Sequence, residues 1–186
     1  MGYGVQIRKV LDETLPMGRR YLSLREAMTD YSPLGYTASW AYVTAEARPD
    51  GDIRYDAAAL TRVVAIIQAS RAIRLSEMRE LASRRAVEKR NGQRQLRPAD
   101  RALFRPRWPG GATRLGLVAA VSAVNRDSRR QDEPVLNACA ATYIARLGYL
   151  TPDERQDLVQ ALDTFKWSPF AGLLRYAVLT DGGIDA

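Results

Sequence analysis

Hydrophobic positions in this chain recur mainly at three- and four-residue spacing, the period of helices that pack on one side. The pattern is sharpest in the C-terminal third. Thr151-Pro152-Asp153-Glu154 places a capping Thr, a first-turn Pro and a Glu three residues after the cap, which predicts a helix running to about Phe165 with Leu158, Val159 and Leu162 inward. Ser168-Pro169 repeats the signal and predicts a last helix, with Phe170, Leu173, Leu174, Ala177 and Val178 on one face, ending near Asp181-Gly182-Gly183. Pro134 fits the first turn of a helix carrying Val135, Leu136, Cys139, Tyr143 and Leu147, with Gly148 as its stop, and a further helix spans Thr113 to Asn125. Four helices joined by short connections predict an antiparallel bundle.

The N-terminal part is helical by the same criterion, over Val5 to Leu15, Arg20 to Tyr31 and Pro33 to Ala47, before a turn at Arg48-Pro49-Asp50-Gly51-Asp52. Tyr21, Tyr31, Tyr36, Trp40 and Tyr42 make it rich in aromatics, as core packing or a protein-binding patch requires. Asp56 caps a helix through Leu60, Val63, Val64, Ile66 and Ile67; the β-branched run finds no second strand to pair with. A separate helix is predicted from Arg74 to Arg90, with Leu75, Met78, Ala82 and Ala86 as its apolar side and Asn91-Gly92 as its stop. Arg74, Arg85 and Lys89 flank that side while Arg84 lies opposite, so the charge is spread around the helix rather than drawn into one stripe. Residues 91 to 111 hold three prolines and three glycines and read as a loop or linker. The predicted fold is all-α, either as one multi-helix domain or as an N-terminal helical region (1–92) ending in a basic helix, a 93–112 loop or linker, and a 113–186 bundle.

At 186 residues, 46% hydrophobic and 26% charged, the composition is that of a folded globular chain. The absence of histidine removes the commonest general base, the commonest zinc ligand and every Ser-His or Cys-His pair. The single cysteine, Cys139, sits in a small-residue apolar run and reads as a buried structural thiol, consistent with a reducing cytoplasm. Glu26 with Asp30, and Asp153 with Asp157, are four apart, but neither pair has a histidine or third acid at metal spacing. The expectation is a non-enzymatic protein with no metal and no cofactor. The N-terminus lacks a signal-peptide core, and no apolar run approaches the roughly 20 residues of a membrane span, so a soluble, cytoplasmic protein is expected.

Charge supplies the functional signal. Residues 62 to 114 hold 14 of the 28 basic side chains and four acids, a formal +10, while the remaining 133 residues come to −3. Arg outnumbers Lys 25 to 3, which suits forked contacts to phosphate, although a GC-rich genome gives the same ratio. On the helices, Arg71, Arg74, Arg84, Arg85, Lys89, Arg90 and Arg94 are candidate phosphate contacts. The loop adds Arg97, Arg101, Arg105 and Arg107, with Trp108 placed to stack on an unpaired base, and Arg114 at the following helix start. The contrary reading has Trp108 anchoring the loop to the core with solvated arginines around it. No Gly-Lys-Ser/Thr marks a phosphate-binding loop.

These features predict a nucleic-acid-backbone binder, for single strands or RNA in particular, acting with other protein subunits in a larger assembly. Small helical subunits of RNA-guided CRISPR complexes and phage packaging or virion proteins share this profile by architecture alone, with no matching motif. Two alternatives compete: a module docking an acidic partner protein, and a helix-turn-helix DNA reader built from the Asp56–Arg71 and Arg74–Arg90 helices. The latter lacks a turn glycine and a base-reading Asn or Gln at its second helix start.

Overall fold

The computed structural model describes residues 2–92, 107–126, 133–165 and 168–180, and these form eight α-helices and one 3₁₀ turn with no strand among them. In chain order the helices are α1 (Tyr3–Leu11), α2 (Met17–Asp30), α3 (Tyr36–Ala47), α4 (Ala57–Arg90), α5 (Arg114–Asn125), α6 (Pro134–Ala145), α7 (Pro152–Asp163) and α8 (Pro169–Thr180), with the 3₁₀ turn at Ile53–Tyr55 before α4.

Local chemistry sets most boundaries. Asp12 ends α1 four residues before the predicted stop, because its carboxylate accepts from both the backbone N–H and the hydroxyl of Thr14. Gly35, at φ +82°, delays α3 to Tyr36. Asp56 caps α4 by accepting from the Ala59 N–H at 2.8 Å. Both halves of the Thr151–Glu154 capping box form, and the Thr151 backbone N–H donating to the Glu154 carboxylate, together with the Arg146 guanidinium, holds that carboxyl below its ordinary range. At the end of α6, Leu147 rather than Gly148 takes the first left-handed position, φ +50°; the Gly148 N–H then reaches back to the Tyr143 carbonyl, closing a Schellman turn.

One correction changes the fold. The two helices predicted between Asp56 and Arg90 are a single helix, α4, of 34 residues and about 51 Å. No glycine or proline lies between Ala57 and Arg90, so nothing breaks the hydrogen-bond ladder near Arg71–Arg74. The turn that a helix-turn-helix requires is therefore absent from this segment.

Helices α1 to α4 pack among themselves, as do α5 to α8, and α3 joins the groups by its extensive contact with α5. One hydrophobic cluster runs through both, from Ile7 and Val10 to Ala177 and Val178. The α3–α5 contact is close because Gly116 has no side chain: a Cβ there would stand 2.5 Å from Tyr42 Cε2. Tyr42 is fully buried, and burial pushes its phenol up to about 12. The first half of α4 belongs to this core through Leu60, Val63, Val64 and Ile67. From Arg71 onward only Leu81 and Glu88 are buried, and Leu81 stands outside the main cluster. No described helix is long and apolar enough to cross a membrane.

Candidate nucleic-acid interface

The basic residues separate into two groups by what surrounds them. Arg107, Trp108 and Arg114 are engaged by the fold. Trp108 is 5% exposed, with its ring stacked on Tyr42 at 4.0 Å between centroids and 18° between planes. This corrects the expectation that Trp108 stacks on a base: the indole anchors residues 107–113 to α3, and its burial leaves no open face for a nucleobase. Arg107 pairs with Glu77 at 3.1 Å, and its carbonyl accepts from the Ser70 hydroxyl, which also hydrogen-bonds Tyr31 at 2.9 Å. Thr113 caps α5 through the Gly116 N–H, donates its own N–H to the Tyr42 hydroxyl at 3.0 Å, and donates its hydroxyl to Glu46. Arg114 lies over the Tyr149 ring, 3.7 Å from the centroid. Tyr149 gave no signal in the sequence, since only the fold brings it to α5.

The second group lies on α4. Arg71 is half-buried with its guanidinium 4.4 Å above the Tyr3 ring centre, and Arg74 is half-buried near Tyr31. Arg79, Arg84, Lys89 and Arg90 are exposed. Arg85 is half-buried and pairs with Glu88 at 2.7 Å. Arg94, Arg97, Arg101 and Arg105 lie outside the described residues.

At about 100° per residue, Arg71, Arg74, Arg79, Arg85, Lys89 and Arg90 fall in one sector of α4 roughly 160° wide, and Glu77, Glu80, Glu88 and Arg84 fall in the other. The buried Leu81 and Glu88 lie just beyond the Arg74–Arg85 edge of this sector, which is half-buried, while Arg79, Lys89 and Arg90 toward its other edge and end are exposed. The expected apolar side of Leu75, Met78, Ala82 and Ala86 runs down the middle of it, and three of the four are exposed while Leu75 is half-buried. One expectation is corrected here. The predicted apolar side is not the buried one, because what covers a helix is decided by its neighbours in space, which the wheel does not contain. Six of the seven cations between residues 71 and 90 fall within this 160° sector, which holds no acid but is too wide for a single stripe, and Arg84 lies opposite. Arg79 belongs with them, as its spacing from Arg90 indicates.

Among the described residues, no group of three or more Asp, Glu or Cys side chains comes together to hold a metal ion. Cys139 is buried, and desolvation pushes its thiol above the ordinary range. Glu26 accepts a hydrogen bond from Gln6, and Asp153 lies in the first turn of α7.

Fold and site together define an all-helical protein with an exposed basic face on its longest helix. Compared with known protein families, with curated proteins and with solved structures, the chain finds no significant match.

Proposed function

We propose that this protein is a non-catalytic, nucleic-acid-binding subunit of a larger cytoplasmic assembly, and that it holds the phosphate backbone with the basic face of α4. The carrying observation is the segregation of charge on residues 71 to 90: six cations and no acid on one face, spread over about 28 Å of helix. Exposed Leu147 and Tyr149, on the turn after α6, offer a surface to other subunits. The α3–α5 junction supplies the rigid base from which α4 extends.

Binding measured by fluorescence anisotropy against random-sequence 20-mers tests the reading. If five or six phosphates are neutralised, the slope of log K against log salt is about −5, a loss near a thousandfold between 50 and 200 mM. Changing Arg79, Lys89 and Arg90 together to Ala should make that slope shallower by about 2 to 3. No binding at low salt, or a flat salt response, overturns the proposal. A second reading is favoured by the stripe of half-buried Leu75 and exposed Met78, Ala82 and Ala86, which fits an amphipathic helix with acidic flanks. That occupant would bury apolar area and keep most of its affinity in high salt.

A further inference from the structure

Resting on the reading of this protein as a backbone binder, we infer that its ligand is an unpaired strand of DNA or RNA, and that one base of the strand stacks on the exposed ring of Tyr149. The sequence points to Trp108 as the stacking ring, and the fold closes that ring under Tyr42. The same fold brings a different ring to the helix start that follows. Tyr149, on the turn after α6, is 66% exposed, and the Arg114 guanidinium lies 3.7 Å from its ring centre. A guanidinium at that distance covers one face. A ring covered on both faces cannot leave two-thirds of its residue open to solvent, so the opposite face of Tyr149 is uncovered.

The ring is also fixed in place. The Gly148 N–H donates to the Tyr143 carbonyl at 3.0 Å, the Tyr149 N–H to Arg146 at 2.9 Å and the Leu150 N–H to Gly148 at 3.0 Å, which sets the backbone of the turn, and Arg114 sets the ring. A platform ordered before its ligand arrives loses little freedom on binding. Every base has a π-face, so stacking here is sequence-tolerant, and a cation at the same ring favours an anionic strand. In a duplex the base faces are already stacked on one another, and this contact is closed to them.

The stacking ring and α4 lie within reach of one strand. Arg107, which pairs with Glu77 on α4, precedes Arg114 by seven residues, so at most about 25 Å of chain separates them. A 20-mer is about 65 Å long even at the 3.4 Å per nucleotide of a stacked strand. Of the two exposed side chains on the turn, Tyr149 takes the base and Leu147 remains for other subunits.

The test measures binding of the full chain, at one ionic strength, to a single-stranded DNA 20-mer, to an abasic strand of the same length and to the corresponding duplex. The ordinary strand should bind at least fivefold more tightly than the abasic one and more tightly than the duplex. Tyr149→Ala should lower affinity for the ordinary strand at least fivefold, to the abasic level, with helix content unchanged by circular dichroism. Tyr149→Phe, which keeps the ring, should stay within twofold of the parent. A 2-aminopurine in the strand should lose fluorescence on binding the parent chain and keep more of it with Tyr149→Ala. Equal affinity for abasic and ordinary strands, tighter binding of the duplex, or no effect of Tyr149→Ala overturns the stacking inference and leaves backbone binding standing, with Tyr149 then an anchor for a protein partner. An equal loss in Tyr149→Phe also overturns it, because the hydroxyl and not the ring would be the contact. Absence of binding to all three ligands overturns both readings.

Discussion

The far half of α4 and the segment from Arg107 to Arg114 are both rich in arginine, yet the fold puts them to opposite uses. In the second, every basic or aromatic side chain meets a partner already in place: Arg107 meets Glu77, Trp108 meets Tyr42, and Arg114 meets Tyr149. In the first, Arg71, Arg74 and Arg85 are half-buried, Arg85 against Glu88, whereas Arg79, Lys89 and Arg90 are exposed. Charge density is the same kind of signal in both; the placement of acids and rings decides whether an arginine supports the fold or remains available to a ligand.

The contrast breaks most readily at Trp108. Trp108→Ala removes the ring beneath Tyr42 and should cost about 3–5 kcal/mol in urea denaturation; a loss under about 1 kcal/mol would mean that the indole does not anchor this segment. Gly116→Ala comes next, with about 1–3 kcal/mol lost to overpacking. The added methyl meets a tyrosine ring that Trp108 prevents from moving away.

Alkali should reach the same junction. With the Tyr42 phenol raised to about 12 and an unfolded value near 10, its contribution to stability is complete below about pH 10 and is lost as pH rises toward 12. Tyr42→Phe should flatten the fall in melting temperature over that window, and an unchanged pH profile would assign the loss to other groups, such as Tyr3, which burial also raises to about 12. The smallest effect on stability should come from the other region. Arg79→Ala, Lys89→Ala and Arg90→Ala should each stay within about 0.5 kcal/mol of the parent protein, as expected for exposed positions. A larger loss would show that α4 uses these side chains for folding and would erase the contrast.

The elements with local signals were legible in the sequence. Thr151 with Glu154, Pro134 and the Ser168-Pro169 start each specify a helix within a few residues, and the inward face of α8 is the predicted one. The misreadings have two causes. Joining 57–90 into one helix follows from the absence of any Gly or Pro between them, whereas burying Leu81 in place of the Leu75–Ala86 side and closing Trp108 under Tyr42 depend on contacts between residues far apart in the chain. The basic composition of the candidate site was visible from the outset. Its exposure was not, because the covered side of α4 is set by neighbours that a helical wheel does not contain.

The unbroken course of α4 makes it a phase-locked shaft. Its first half is keyed to the core by Leu60, Val63, Val64 and Ile67, and each residue beyond them turns the next by about 100°. A single residue inserted near Arg71 would leave the composition of the basic half intact and swing all six cations a quarter-turn or more around the body of the protein. Four inserted residues would return them to within about 40° of their original bearing, one turn farther out. Length in this helix is therefore an angular setting, and a change that alters no charge can still redirect the whole face.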